Sequence, residues 1–421
     1  MMIGNIHKMV FAAAAASLFA TISCNKDMYD EGEYKKYVEI VSPVDKVDSL
    51  HTWKLATVHQ LQVTANTHNG TRRLLILSDD PRSKDVDILT STYMTDGQTV
   101  AVSFSAPTLN QQFYAALLNA EGTYTLQPFA AGQTAISFDD TTDPVRLYTK
   151  LTPQTYTYCF DETFPLPDDY DFNDLVLRIS LERTGQNQIS VGVTLAAVGG
   201  EKQIAAAIRF VGYKHTNIES ITVAEGDTPF NDDIPSQSYD IMDSRDLLVG
   251  GRNDEALLNL FDDAHWAMGD RLSTSYGLFK RKRYNVSSST GDDYQMMAPH
   301  TVTYLVNFLD GSKLNDFTFA SIDPFIIADY NGAYWETHTY EHMMAKVKYD
   351  YQASDIKNLP WALEIPNGTF RYPLDGVNMG FIKNGVTFGA YMTTGYSFGE
   401  WAEDHTKSAD WYFYPTGNMV Y

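Results

Sequence analysis

Residues 158–179 read YCFDETFPLPDDYDFNDLVLRI, and the architecture is decided by how this stretch is read. Its two ends, YCF and LVLRI, are short runs rich in aromatic and branched apolar side chains, a composition that suits strands. Between them Pro165 and Pro167 punctuate a turn crowded with acids. The stretch therefore predicts strand, acidic loop, strand.

The loop is the strongest candidate site. Asp169, Asp171 and Asn173 alternate and Asp174 closes the turn. Ca²⁺ is a hard cation that takes six to eight oxygen ligands, which carboxylates and amides crowded into one turn can supply. The alternation resembles the first half of an EF-hand loop, but Asp174 stands where that loop needs Gly and Ser180 where it needs Glu. A cation here must draw further ligands from Asp161 or Glu162, or from backbone carbonyls. The competing reading is an acidic turn whose side chains cap its own backbone N–H groups. Both readings stay open at this point.

Outward from the loop, the pattern is strands almost throughout. Residues 59–65 (HQLQVTA), 73–77 (RLLIL), 99–104 (TVAVSF) and 124–128 (YTLQP) are short alternating runs separated by Asn-Gly, Asp-Gly and Glu-Gly turns. Such spacing predicts a β-sandwich. A stretch rich in Asp, Thr and Pro at 139–144 (DDTTDP) marks its end. A second set follows at 155–160, 175–181, 189–195, 204–211, 301–308, 317–327 and 345–351, with helices expected at 253–267 and 398–411. The expected fold class is all-β, with two β-sandwich-like domains and a few short helices in the C-terminal one. The expected division is a leader (1–23), an acidic tether (24–48), an N-terminal sandwich (49–143) and a larger β domain (144–421).

Composition narrows the partners. The chain carries 31 basic and 53 acidic residues for a net charge of −22, so nucleic acid is excluded as a partner of the body. Tyr, Phe and Trp are abundant, which suits both β cores and surfaces that stack on sugars. There are two cysteines, Cys24 and Cys159.

The first residues read as a processing signal. Lys8 precedes an uncharged apolar run, residues 9–23 (MVFAAAAASLFATIS), too short for the roughly 20 residues of a membrane span. It has the length and flanks of a signal-peptide core. The run ends at Thr21-Ile22-Ser23-Cys24, which resembles a lipobox, the site where a cysteine is acylated and the chain is cut before it; Thr21 departs from the usual aliphatic residue. Acyl chains stabilise membrane attachment by about 0.8 kcal/mol per buried methylene, so several on Cys24 would hold the protein. With Cys24 acylated, Cys159 is left without a disulfide partner. The acids that follow (Asp27, Asp30, Glu31, Glu33) resemble signals that send lipoproteins to the outer face of the outer membrane.

The run F-D-E-x-F-P followed by D-Y-D-F-N-D-L-V is similar to the signature of the LruC-domain family of bacterial outer-membrane lipoproteins. In that family F-E-D-x-x-P precedes G-D-Y-D-F-N-D-L-V; here the acid pair is reversed as Asp161-Glu162 and Asp168 replaces the glycine. The later DPFII (323–327), WETH (335–338), PWALEIP (360–366) and PLDGVN (373–378) also fit. The resemblance covers roughly residue 156 to the C-terminus. It implies a β-rich domain on a lipid-anchored surface protein with Ca²⁺ in a structural role at the acidic loop.

Two catalytic motifs lack their context. G-Y-S-F-G at 395–399 fits a nucleophile elbow, but no βαβ alternation precedes Ser397 and the sole later histidine, His405, falls in the same predicted helix. H-T-Y-E-H at 338–342 fits an inverted zinc-peptidase motif, yet the β-branched and aromatic residues before it favour a strand over the helix that chemistry requires. The sequence therefore predicts a non-enzymatic, surface-exposed lipoprotein for adhesion or ligand binding, with a glycan or a host or cell-surface molecule as ligand. The alternatives are a carbohydrate-binding lipoprotein of a glycan-uptake system and, less favoured, a glycosidase or peptidase. Metabolic labelling with a clickable fatty acid should label the wild type and leave Cys24→Ala unlabelled; label persisting in the variant would refute the anchor.

Overall fold

The computed structural model describes residues 44–421, apart from 69, 165–168, 231–244, 270–280, 287–293, 331–332, 347–351 and 354–358. Cys24 and the expected leader lie outside the described residues. All the described residues fall in one compact unit, Pro43–Phe164 with Asp168–Tyr421. The fold is all-β.

The N-terminal strands are β1 (Ala56–Asn66), β2 (Arg72–Leu77), β3 (Val86–Met94), β4 (Thr99–Pro107), β5 (Gln112–Leu118), β6 (Tyr124–Ala130), β7 (Ala135–Asp139) and β8 (Leu151–Pro153). They form two sheets, ordered β4-β1-β7 and β6-β5-β2-β3-β8. Period-two alternation does the work. Leu61, Val63 and Ala65 of β1 face Leu74 and Ile76 of β2 and the rings of Phe104, Phe113 and Phe129 in a closed core. The second sheet takes its last strand, β8, from beyond the Asp/Thr/Pro-rich stretch, paired parallel to β3.

The C-terminal strands begin with β9 (Thr155–Phe160), β10 (Leu175–Arg183), β11 (Gln188–Ala197), β12 (Ile204–Lys214) and β13 (Ile218–Val223). Next come β14 (Leu248–Gly250), β15 (Glu255–Phe261), β16 (Arg283–Tyr284), β17 (Tyr294–Gln295), β18 (His300–Phe308), β19 (Ile322–Tyr330) and β20 (Ala333–His338). The series closes with β21 (Met343–Lys346), β22 (Gln352–Ala353), β23 (Ala362–Ile365), β24 (Phe381–Lys383) and β25 (Val386–Phe388). A six-stranded sheet, β13-β18-β11-β10-β9-β23, faces a seven-stranded one, β14-β15-β12-β19-β20-β21-β22. At its β23-β9-β10 end the six-stranded sheet is buried on both faces, while β18 and β13 keep one face partly open to solvent. In β9, Tyr156, Tyr158 and Phe160 enter the core between the sheets, while Cys159 enters a second core on the opposite face. That second core is an aromatic cap built from β24, β25, the helix Phe398–Glu403 and the C-terminal turns, with Trp401, Trp411, Tyr372 and Tyr391 almost fully buried.

Two expected helices are corrected by the structure. Residues 253–267 form left-handed turns at Asn253 and Asp254, then strand β15, and only then a four-residue helix, Ala264–Ala267, capped by Asp263. Leu and Ala favour helix by propensity, but Leu258 faces the inter-sheet core and Leu257 the far side of the sheet. Burial on both sides at strand spacing overrides propensity. Of residues 398–411, only Phe398–Glu403 is α-helical; the chain turns at Asp404 and resumes as a 3₁₀ turn at Trp411.

The lead-in, residues 44–55, belongs to the cap rather than to the sandwich it precedes: Val44, Trp53 and Leu55 are buried in the aromatic core. His51 stacks on Trp53 at 3.9 Å and meets Trp401 edge-on at 4.3 Å. Burial holds the His51 imidazole down to about 4, so it is neutral at pH 7. The N-terminal sandwich is thus inserted between the lead-in and β9. It meets the larger body through polar contacts. The buried Arg183 guanidinium at the end of β10 donates to Thr92 Oγ1 (3.0 Å), Asn315 Oδ1 (2.6 Å) and Gly311 O (3.0 Å).

If the lead-in is structural, Trp53→Ala should lower stability by about 3–5 kcal/mol in denaturant unfolding, the usual cost of emptying a buried aromatic site. An unchanged midpoint would contradict this placement.

Candidate metal centre

Strand β9 continues into the acidic loop without a break: Asp161 N–H still donates to Trp361 O beside β23 at 2.9 Å. On the far side of the loop, Tyr170 and Phe172 adopt left-handed backbone (φ 55° and 53°) on either side of Asp171. For residues with a Cβ this costs about 1–2 kcal/mol each. Burial of both rings in the cap, with Tyr170 5.6 Å from Phe381, offsets it. The Tyr170 carbonyl also accepts from Met379 N–H at 2.8 Å.

Of the six residues expected to hold a cation, the fold brings three together. Asp161, Asp169 and Asp171 each place a carboxylate oxygen within 4.8 Å of the others. Asp161 and Asp171 are buried and Asp169 is exposed, so the cluster opens to solvent on one side. An ion with bonds of 2.3–2.6 Å spans ligand pairs up to about 5 Å apart, so the spacing fits Ca²⁺. Asp161 Oδ1 accepts from Phe172 N–H at 2.8 Å; Asp171 accepts from Asn173 N–H (3.2 Å) and from Gly376 N–H (2.9 Å). These bonds fix the carboxylates before any ion arrives. Without a counter-charge the cluster repels itself. Burial first, then Asp169, pushes the Asp171 carboxyl well above its usual range.

The other three hold backbone. Glu162 accepts from the N–H groups of Glu201 (3.1 Å) and Lys202 (3.1 Å), closing the turn between β11 and β12. Asp174 Oδ2 accepts from Glu162 N–H at 2.7 Å, and burial, then Glu162, pushes its carboxyl up. Asn173 donates to Pro373 O at 3.1 Å. A Cβ on Gly199 would lie 2.2 Å from Asn173 Oδ1, so the close approach requires glycine. The two readings of the loop therefore divide the residues between them.

Sequence reasoning gave no role to Gly376 or Pro373, although both lie in the PLDGVN run. Next to them Asp375 receives Arg283 Nη1 (2.6 Å) and Tyr294 Oη (2.7 Å). Arg283 therefore neutralises the neighbouring acid.

The structure gives the rejected motifs other roles. Ser397 is buried, and its hydroxyl accepts from Glu400 N–H at 3.0 Å as the N-cap of the helix Phe398–Glu403. His338 ends strand β20, as the β-branched pattern predicts, while Glu341 is exposed in a left-handed conformation. The buried His338 ring meets Asp323 Oδ2 through Nδ1 (2.7 Å) and Glu336 Oε2 through Nε2 (3.2 Å). Arg209 bonds the same Asp323 at 2.9 Å and Glu255 at 2.8 Å, tying four strands together. Cys159 is free and buried, and burial pushes its thiol far up, leaving it unreactive.

These layers define an all-β sandwich protein whose six-stranded sheet is covered on both faces at its β23-β9-β10 end. Residues 187–412, more than half of the chain, match the family described as "Domain of unknown function (DUF4842)", and the chain belongs to that family. The matched region runs from β11 through the aromatic cap and begins after the acidic loop. The fold is similar to that of a crystal structure described as a "Putative lipoprotein from Bacteroides ovatus", 12% identical with a TM-score of 0.50 over 83% of this chain and 98% of that one. At that identity the likeness is one of fold. Among curated proteins there is no match.

The His338 network makes a pH prediction. Burial works against the imidazolium, but Asp323 and Glu336 outweigh it and raise its pKa above 6.5. A raised histidine contributes stability that is complete below the unfolded value and fades as pH rises through the folded one. The stability advantage of wild type over His338→Gln should therefore be largest below about pH 6.5 and shrink toward alkaline pH in denaturant titrations. An advantage that grows with pH would contradict the assignment.

Proposed function

We propose that the protein is a non-enzymatic lipoprotein, anchored through acyl chains on Cys24 and facing outward from the outer membrane, whose β-rich body serves adhesion or ligand binding. Ca²⁺ has a structural role in it. Asp161, Asp169 and Asp171 would hold the ion, whose charge would offset the repulsion among three converging carboxylates. That convergence is the observation carrying the calcium reading. The loop bonds to Trp361 beside β23, to the turn after β11 and to the PLDGVN segment at the edge of the cap, so a cation there would fasten the cap to the sandwich.

The anchor is supported by the apolar leader ending at Cys24 and by the acids behind it. The LruC-like motifs support a surface lipoprotein, and the similar crystal structure is itself described as a lipoprotein. The non-enzymatic reading is supported by the capping role of Ser397 and the ion-paired role of His338, which give both catalytic-looking motifs a structural purpose.

The test is thermal unfolding of the purified full-length protein with millimolar Ca²⁺ and with EDTA. Ca²⁺ at 100 times its Kd should add about 2.7 kcal/mol, a rise of several degrees in Tm. Asp171→Ala should abolish the rise, whereas Asp375→Asn, outside the triad, should keep it. Identical curves with Ca²⁺ and EDTA in the wild type would overturn the calcium role.

A further inference from the structure

We propose that the face formed by the lead-in and the β24–β25 hairpin is the membrane-proximal face of the protein and rests on the bilayer that holds Cys24. The proposal depends on the lipid anchor above and adds an orientation to it.

The first argument is where the chain joins the body. Val44 follows Cys24 by 20 residues and is buried in the aromatic cap. An extended chain spans at most about 3.3–3.6 Å per residue, so the anchor lies within about 70 Å of Val44. Its neighbour Asp45 accepts from Asn384 N–H, at the hairpin tip, at 2.8 Å. The tip is therefore pinned beside the point at which the anchored segment arrives. The β5–β6 turn of the N-terminal sandwich, with Glu121 at its tip, is connected to the anchor only through the lead-in and β1–β5.

The second argument is what this part of the surface presents. Eleven large hydrophobic residues are exposed among the described residues, and six of them belong to the lead-in or the cap: Leu50, Val386, Tyr396, Phe413, Tyr414 and Met419. Leu50 is 72% exposed on the lead-in and Val386 63% exposed in the hairpin. Branched aliphatic and aromatic side chains with polar neighbours suit the headgroup boundary of a bilayer, where Tyr is enriched.

The third argument is charge. The body is strongly acidic and would be repelled by an anionic surface. Three acids around the lead-in are engaged: Asp45 with Asn384 N–H, Asp48 with the N–H groups of Leu50 (2.9 Å) and His405 (3.1 Å), and Asp404 with Lys407 (3.0 Å). Lys383 lies in the hairpin beside Asn384, and Lys407 follows the cap helix with 69% of its side chain exposed. Lys46 and Lys407 share an open depression with Asp48, Glu400, Glu403 and Asp404, so this face presents both signs of charge to zwitterionic headgroups.

The experiment uses the full-length lipidated protein in vesicles of phosphatidylcholine and phosphatidylethanolamine containing doxyl-labelled lipid. A fluorophore is placed at Val386→Cys or, separately, at Glu121→Cys; both positions are exposed, and the buried Cys159 thiol stays unlabelled. The Val386→Cys label should be quenched at least about threefold more than the Glu121→Cys label, and Cys24→Ala should abolish quenching at both sites. Equal quenching, or stronger quenching at Glu121→Cys, in protein that carries acyl chains overturns the orientation and leaves the anchor standing. A wild type with no acyl chain on Cys24 overturns both. A Val386→Cys label shielded equally without vesicles assigns the face to a second copy or another protein instead, and also overturns the proposal.

Discussion

The structure depends on one sheet whose β23-β9-β10 end is buried on both faces. Strands β9, β10 and β11 present Tyr156, Leu177 and Val191 to the seven-stranded sheet and Cys159, Val176 and Ala196 to the aromatic cap. A strand covered on both faces has no polar side, and its neighbours must supply two complementary apolar surfaces at once. C-terminal to β23 the described chain has only the short β24–β25 hairpin, the helix Phe398–Glu403 and turns, and Trp401, Trp411, Tyr391 and Phe398 pack together to hold it on that sheet. The lead-in joins the same packing. Both ends of the described chain therefore meet on one face of the central sheet, with the N-terminal sandwich set between them in sequence.

The acidic loop sits where that arrangement is most exposed to failure. It connects two central strands, leaves the sheet and returns, and its backbone must be satisfied away from any ladder. Glu162 and Asp174 do this directly by accepting from N–H groups, and Asn173 does it by donating to Pro373. Asp161 and Asp171 also accept backbone bonds, and they converge with Asp169 to within 4.8 Å. A loop of this kind is held in shape by hydrogen bonds to segments far away in the chain, so its geometry is tied to that of the cap.

Much of this was legible in order along the chain. The strands at 59–65, 73–77, 175–181, 189–195 and 301–308 fall inside β1, β2, β10, β11 and β18, because alternation at period two is a local property. The helix expected at 253–267 failed for the converse reason: EALLNLF has the composition of a helix, and only the two sheets that sandwich it make it a strand. The acidic residues were legible as a group. Which of them converge and which hold backbone alone was not, since Gly376, Pro373 and Gly199, which fix their positions, lie up to about 200 residues away.

The sequence by itself determined the all-β class, the position of the acidic loop between two strands and the candidate anchor at Cys24, because each is written in contiguous residues. Only the tertiary structure decided which acids converge, that Ser397 is a helix cap and His338 an ion-pair partner, and that residues 44–55 belong to the far end of the chain. Those outcomes depend on contacts between segments separated by up to 357 residues, such as Asp48 with His405, and no local pattern records what a side chain will meet across a folded core.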